Sequence, residues 1–245
     1  MMKSKDFDGK ISIITAVYNA ETHIHDLIKS LRQQTDQNFE WVVVDGLSTD
    51  NTLEILEKID DLNVKIISEA DFGIYDALNK GIKACNGEFY LVAGADDIFY
   101  PNAIADYKAN IDINIDILTA NIIIDNSIAK PQKSKPSWWV GQAHWISGHA
   151  LGVLIRKNLH DQYGYYSKKF PIAADQLFIK NCCQNGCTLK HLDILVGKFG
   201  DYGVSSLDII GASTEIFRIQ LITEKQKFLV YLVFLYRLIK SVVKK

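Results

Sequence analysis

Several features that assign a chain to one class of protein are missing from this sequence. Its 245 residues carry 27 Lys and Arg against 29 Asp and Glu, so no basic excess predicts binding to nucleic acid. No G-x-G-x-x-G follows the first apolar run, which argues against a dinucleotide-dependent oxidoreductase. The N-terminal segment MMKSKDFDGK has no apolar core of about 7–15 residues, and we expect no signal peptide.

Cysteine is also scarce, and the few cysteines are unevenly placed. Three of the four lie in the segment CCQNGC as Cys182, Cys183 and Cys187, with His191 four residues further on. A second ligand pair at zinc-finger or zinc-ribbon spacing is missing, so a zinc site is the minor alternative here. Reduced thiols on and after a helix are the simpler interpretation, and they agree with a cytoplasmic location.

Strand and helix patterns alternate through the first half of the chain. Apolar runs and apolar residues at helical spacing predict the order strand 10–20, helix 21–34, strand 39–50, helix 51–59, strand 64–69, helix 72–85 and strand 88–94. The strands are nearly continuous apolar runs, which indicates a mostly parallel sheet covered by helices on both faces. Ligands of such sheets bind outside the carboxyl ends of the strands.

The second half is less regular. Its patterns predict helix 101–111, strand 116–124, a proline-containing loop 130–142, strand 149–157, helix 172–186 and strand 192–201. We see no repeat and no clear linker before about residue 206. We therefore expect one α/β catalytic domain over residues 1–205 and a helical C-terminal extension over 206–245.

Two adjacent carboxylates, Asp96 and Asp97, directly follow the fourth apolar strand. Two such charges repel each other unless a cation lies between them or water screens them. Mg²⁺ is typically held by one or two carboxylates together with substrate phosphates. The alternative is that the pair only caps the helix that begins near Pro101.

Five ordered segments carry a family resemblance, namely ISIITAVYNAE, WVVVDGLSTDNTLEIL, SEADFGIYDALNKGI, GEFYLVAGADDIFYP and FPIAADQLFIKNCCQNG. They resemble motifs of family 2 glycosyltransferases, over about residues 10–205, and are most similar to enzymes of bacterial exopolysaccharide, colanic-acid-like or O-antigen assembly. The resemblance implies the GT-A fold, a Rossmann-like domain with a mostly parallel sheet.

The resemblance also implies a site for a nucleotide-diphosphate sugar. The residues it points to are Thr15, Ala16, Tyr18, Asp45, Asp71, Asn79 and Asp96, with a divalent metal, Mn²⁺ or Mg²⁺, at Asp96 and Asp97. Structural alternatives stay open for Tyr18 as a buried loop anchor, Asp45 as a helix N-cap and Asn79 as part of a polar helix face.

The chain departs from the family pattern at two glycines. Many members have Asp-x-Asp-Asp where this chain has Gly94 at the first position, so the chain lacks the carboxylate that touches the ribose in those members. Members that read uracil often carry a second Asp where this chain has Gly46, so the resemblance does not assign UDP as the donor nucleotide.

On the acceptor side, Asp175 matches the family's general base at the start of a helix. Its alternative is an acid that only complements the helix dipole. His149 is predicted to contact the phosphate or the acceptor, and Trp145 is predicted to contact the acceptor, although both residue types are often structural. The family resemblance implies a growing glycan or lipid-linked saccharide as acceptor.

The tail holds nine consecutive apolar residues, 228–236, near six basic ones. A membrane span needs about 20 apolar residues, so an interfacial helix on the cytoplasmic face of the plasma membrane is the better interpretation. A helix packed on the domain, or on a second subunit in a homodimer, is the alternative.

We therefore expect an inverting, metal-dependent glycosyltransferase. A catalytically degenerate assembly partner and a sugar nucleotidyltransferase are the rival hypotheses. A sugar nucleotidyltransferase would need a glycine-rich, basic phosphate loop, which the segment TAVYNAE does not supply.

Overall fold

The computed structural model describes residues 9–200 and 208–243 of the chain. The elements in chain order are β1 Ile11–Val17, α1 Ile24–Arg32, β2 Phe39–Asp45, α2 Thr52–Glu57, β3 Val64–Ser68, α3 Ile74–Ala84, β4 Phe89–Val92, β5 Ile98–Phe99, α4 Ala103–Asn110, β6 Ile117–Ile124, β7 Ser127–Ala129, α5 Ser137–Val140, β8 Val153–Arg156, α6 Leu159–Tyr163, α7 Ala174–Gln184, β9 Leu189–Lys198, α8 Ile209–Thr223 and α9 Lys227–Val243.

The described strands form one mixed sheet in the order β3-β2-β1-β4-β8-β6-β9-β5, with β7 paired to β6. The neighbours among β1 to β4 run parallel, whereas β8 is antiparallel to both β4 and β6. Val17 pairs with Asp45, and Asp45 pairs with Ser68, so β1, β2 and β3 end at the same edge. This register brings the loops after these strands together.

Helices cover both faces of the sheet, as the apolar strand pattern predicts. Leu27 and Leu31 of α1 pack against one face, and Leu78 and Ile82 of α3 pack against the other. All four are at most 3% exposed, and each such side chain contributes about 1.5–3 kcal/mol on burial. The strands between them are apolar on both sides because neither side meets water.

Close packing of α3 on β1 depends on a glycine. A Cβ at Gly81 would lie 2.4 Å from Cγ2 of Ile14, a distance that real side chains do not tolerate. Gly81 costs some helix propensity in the interior of α3, but it lets the helix backbone approach the sheet. The loop before α3 is thereby held near the carboxyl end of β1.

The C-terminal extension packs on the rest of the chain. Lys180 of α7 and Glu224, directly after α8, form an ion pair of 2.6 Å in which both side chains are almost fully buried. Phe217 of α8 stacks on Phe234 of α9 at a centroid distance of 4.1 Å. Among the residues that the structure describes, no helix combines the length and hydrophobicity that crossing a membrane requires.

Candidate active site

An outer cleft opens beside the carboxyl ends of β1 and β4. Tyr18 and Asn19 line it from the loop after β1, and Asp71 lines it from the loop after β3. The Tyr18 side chain is 64% exposed, and Asp71 accepts a 2.8 Å hydrogen bond from the Gly73 N–H. A Cβ at Gly46 would come within 2.6 Å of Asp71 Oδ2, so this carboxylate occupies the space that a side chain there would take.

An inner cavity adjoins the outer cleft. Its walls include Tyr75 from α3, Tyr166 from the loop after α6, His149 from the loop before β8, and Asp175 from α7. The two spaces share four lining residues, Ala16, Ile74, Gly94 and Asp96. A molecule that extends from one to the other passes Asp96 on its way to Asp175.

Two residues predicted for the donor site lie in the core instead of the cleft. Thr15 is fully buried, and its Oγ1 accepts a 2.9 Å hydrogen bond from Trp41 Nε1. Asp45 is also fully buried and accepts hydrogen bonds from the Ser48 N–H and the Ser68 hydroxyl. Alternation along β1 explains the first case, because Ala16 lines both spaces and its neighbour points to the opposite face.

The structure also settles two local alternatives. Asp45 caps no helix, because α2 begins at Thr52 with Asn51 as its N-cap. Asn79 is buried and forms a reciprocal pair of 2.9 Å hydrogen bonds with the backbone of Tyr166, so it joins α3 to the cavity wall from behind.

The adjacent carboxylates predicted to bind metal differ sharply in environment. Asp96 lines both the outer cleft and the inner cavity. Asp97 is 0% exposed and accepts hydrogen bonds from the N–H groups of Gly94 at 2.7 Å and Gly200 at 2.9 Å. Burial raises the pKa of Asp97 to about 7, although these two hydrogen bonds oppose the rise. Asp97 therefore ties the loop after β4 to the end of β9.

Gly94 contributes to this loop in a second way. A Cβ there would lie 3.0 Å from Asp96 Oδ1 and 3.4 Å from Asp97 Oδ2. A longer side chain at this position would crowd the cavity-facing carboxylate. Within residues 9–200 and 208–243, no cluster of three or more His, Cys, Asp or Glu side chains is arranged to hold a metal. Of the two adjacent carboxylates, only Asp96 faces the cavity, and a single carboxylate suits an ion that takes its other ligands from phosphate and water.

Asp175 lies in the first turn of α7, where the sequence predicts the base. Its Oδ1 accepts a 2.6 Å hydrogen bond from the Tyr75 hydroxyl, which also lies 3.0 Å from the Ile172 carbonyl. Burial raises the pKa of Asp175, while the Tyr75 hydroxyl and the Gln176 N–H act in the opposite direction. A carboxylate in this setting is a stronger base than one in water, and it is already held by a donor.

His149 reaches the inner cavity as a neutral imidazole. Burial lowers its pKa to about 4, and its ring lies 3.9 Å from that of Phe199 between centroids. Its Nδ1 accepts a 3.3 Å hydrogen bond from the Leu151 N–H. The neutral ring therefore carries its proton on Nε2, which leaves that atom as a hydrogen-bond donor.

Trp145 does not line the cavity. It packs against the core beside α7, with its ring 4.9 Å from that of His144 and 6.0 Å from Lys180 Nζ. Sequence reasoning missed Tyr75, although it lies inside the segment SEADFGIYDALNKGI. Its partner Asp175 is 100 residues away along the chain, so no local spacing connects the two.

Comparison with known proteins independently supports the predicted glycosyltransferase family. The family model for Glycosyl transferase family 2 matches residues 12–168. An uncharacterized glycosyltransferase of Haemophilus influenzae is 29% identical over 207 residues, covering 76% of this chain and 64% of the relative. The poly(ribitol-phosphate) β-N-acetylglucosaminyltransferase TarS of Staphylococcus aureus is 38% identical over 194 residues, covering 75% of this chain but only 34% of that enzyme.

Solved structures agree on the fold. The crystal structure of S. aureus TarS 1–349 has a TM-score of 0.67 at 25% identity and covers 92% of this chain and 69% of that chain. A mannosyltransferase from Pyrobaculum calidifontis, in complex with GDP-Man and Mn²⁺, has a TM-score of 0.70 at 16% identity and covers 97% of this chain and 76% of that one. The predicted GT-A fold is confirmed, and the chain belongs to glycosyltransferase family 2.

Proposed function

We propose that this chain transfers a sugar from a nucleotide-diphosphate sugar to an acceptor hydroxyl, with inversion at the sugar carbon. The observation that carries the proposal is that Asp96 and Asp175 line the same inner cavity, which continues into the outer cleft. The acceptor oxygen attacks the anomeric carbon and gives its proton to the Asp175 carboxylate. The bond from that carbon to the diphosphate oxygen breaks, and its electron pair leaves with the diphosphate.

The outer cleft is the proposed site of the nucleotide. The exposed Tyr18 ring supplies an aromatic face for a base, and Asp71 supplies an acceptor for base or ribose N–H and O–H groups. Relatives bind different nucleotides, UDP-GlcNAc in a TarS structure and GDP-Man in the mannosyltransferase. We therefore propose a nucleotide-diphosphate sugar without committing to UDP.

A divalent metal fits beside Asp96. When bound there, Mn²⁺ or Mg²⁺ would neutralise negative charge on the departing diphosphate. In this proposal Asp96 holds the ion directly, and Asp97 keeps the loop in place through its bonds to Gly94 and Gly200. The mannosyltransferase binds Mn²⁺ with its nucleotide sugar, which supports a metal in this fold.

Asp175 is suited to act as the base. Burial raises the basicity of its carboxylate, and the Tyr75 hydroxyl fixes one of its oxygens. In this proposal the Asp175 carboxylate, which lines the inner cavity, takes the proton from an acceptor bound there. His149 donates from Nε2 to an anionic oxygen of the donor or to an acceptor hydroxyl, while Trp145 acts only indirectly through the packing of α7.

Binding and turnover with a panel of UDP-, GDP- and dTDP-sugars, each with Mn²⁺ or with EDTA, test this proposal. Asp96→Asn should abolish the metal-dependent part of nucleotide affinity. Asp106→Asn is a matched control, since this aspartate lies in α4 outside both cavities. Equal nucleotide affinity of the wild type and Asp96→Asn in the presence of metal would exclude the assigned metal site.

We further propose that α9 binds an anionic membrane surface where a lipid-linked or growing glycan acceptor is found. A stripe of exposed apolar side chains runs along one side of this helix, formed by Phe228, Tyr231, Leu232, Leu235 and Ile239. The opposite side is buried through Val230 and Val233. Lys227 and Lys240 are exposed at the two edges of the stripe, as expected for a helix that lies on anionic lipid.

Co-sedimentation with vesicles, with and without anionic lipid, tests the membrane proposal. Leu232→Glu combined with Leu235→Glu should abolish pelleting. Ile113→Glu is the matched control, because Ile113 is an exposed apolar residue outside α9. If the wild type is a dimer that only the double variant dissociates, and neither protein pellets, the stripe is a subunit interface and the membrane proposal is wrong.

A further inference from the structure

The N-terminus of α7 takes its hydrogen-bond acceptor from a distant part of the chain. The N-cap of this helix is Ala173, whose side chain has no acceptor. Glu215, in the middle of α8, supplies one instead. Its Oε2 accepts from the Ile172 N–H at 3.0 Å and from the Ala173 N–H at 2.9 Å. These two peptide groups directly precede the turn that carries Asp175.

A buried carboxylate at this point requires an explanation. Glu215 is only 7% exposed, and removing a carboxylate from water is unfavourable unless hydrogen bonds compensate. The nearby Ile219 shows that α8 also packs through ordinary apolar contacts, so a charge is not needed for packing alone. The two hydrogen bonds from the Ile172 and Ala173 N–H groups are the interaction that an apolar residue at position 215 would not make.

A second contact keeps α8 alongside α7. Glu224, just after α8, pairs with Lys180 of α7 at 2.6 Å in a buried position. The α8 segment is thus fastened to α7 at two separated points. A displacement of α8 would shift the first turn of α7 with it.

We propose that Glu215 is a positioning residue for Asp175: by holding the peptide groups of Ile172 and Ala173, it sets the direction in which the Asp175 carboxylate enters the inner cavity. This inference rests on the proposed role of Asp175 as base. It makes the C-terminal extension part of the reaction machinery.

The charge of Glu215 gives the proposal a distinctive consequence. Together with burial, which is the larger cause, this charge raises the pKa of Asp175. Among the residues that the structure describes, the other ionisable groups that face the inner cavity are Tyr75, Tyr166, His149 and Asp96. Tyr75 stabilises the ionised form through its hydrogen bond, and His149 is neutral because burial lowers its pKa. A neutral residue in place of Glu215 should therefore make Asp175 a weaker base.

The test is the pH dependence of kcat in Glu215→Gln, which keeps an acceptor oxygen but removes the charge. We expect the acid limb to move to lower pH, because a weaker base is deprotonated at lower pH. Glu215→Ala should also lower kcat on the order of 10-fold, since misplacement of a reacting group by about 1 Å costs up to about 10²-fold. Donor Kd should stay unchanged in both variants.

Glu57→Gln is the matched control, because it removes an exposed carboxylate in α2, outside both cavities. Its acid limb should remain at the wild-type position. The ¹³C resonance of the Asp175 carboxyl, assigned by its loss in Asp175→Asn, gives a readout without activity. An Asp175 titration that is identical in the wild type and in folded Glu215→Gln would overturn the inference. Failure of the wild type to transfer any sugar would refute the proposed function, and the titration would still test the link between Glu215 and Asp175.

Discussion

Replacing Tyr75 with Phe tests how the inner cavity sets the strength of its base. The substitution keeps the ring, which packs edge-on against Tyr166 at a centroid distance of 5.4 Å, and removes only the hydroxyl. That hydroxyl makes the 2.6 Å hydrogen bond to Asp175. A hydrogen bond to a charged group contributes about 1.5–3 kcal/mol, so Tyr75→Phe should lower the free energy of unfolding by about 2 kcal/mol.

The effect on the reaction has a definite sign. The hydroxyl lowers the pKa of Asp175, so its loss raises that pKa. More of the base is then protonated at a given pH, and the acid limb of kcat moves to higher pH. Activity should fall most at low pH and recover as the pH rises. This is opposite to the shift expected for Glu215→Gln.

The assay is a pH–rate profile at saturating donor, together with thermal unfolding. For a chain of this size, about 2 kcal/mol corresponds to a fall in Tm of about 4–8 °C. Tyr166→Phe is the control, and its acid limb should stay at the wild-type pH. The Tyr166 hydroxyl that it removes pairs with Tyr90 at 3.0 Å instead of with Asp175. An acid limb in Tyr75→Phe that stays in place, or moves to lower pH, would show that the Tyr75 hydroxyl does not lower the pKa of Asp175.

Two further predictions concern stability. Burial raises the pKa of Asp97 from its ordinary value of 3.8 to about 7 in the folded protein. The folded state therefore holds this proton more tightly than the unfolded state. The resulting contribution to stability is fully present below pH 3.8 and is lost as the pH rises through about 7. Urea unfolding should show this loss in the wild type and not in Asp97→Asn; equal slopes with pH would contradict the assignment. Lys180→Met alone should lower the free energy of unfolding by about 3–5 kcal/mol, because Glu224 stays buried without its partner. Lys180→Met combined with Glu224→Leu should recover most of this loss. A double variant as unstable as the single one would argue against an uncompensated buried charge as the cause.

The order of strands and helices could be predicted because each element carries its own periodicity. The continuous apolar run of β2 and the helical spacing in α1 are both found where the sequence predicts them. The shortest elements, such as β5 with two residues and β7 with three, are too short to show a period. The sequence predicts only one helical extension where the structure has α8 and α9, because no glycine or proline marks the break between Thr223 and Lys227.

The site could be predicted only in part. Ala16, Tyr18, Asp71, Asp96, His149 and Asp175 line the two connected spaces, whereas Thr15, Asp45, Asn79, Asp97 and Trp145 do not. Strand alternation alone would separate Thr15 from Ala16. The burial of Asp97 depends on Gly200, about a hundred residues further on, which no local pattern reports. Tyr75 and Glu215 were missed for the same reason, since each meets α7 only in the folded chain.

The most direct test of Asp175 as the base compares the wild type with Asp175→Asn, using a donor that the wild type accepts. The measurements are donor Kd, turnover, and the anomeric configuration of the product by NMR. If Asp175 is the base, we expect an inverted product, an unchanged donor Kd in the variant, and turnover reduced by about 10²–10⁴-fold, the range of a general base. Turnover of Asp175→Asn near that of the wild type, or a product with retained configuration, would contradict it.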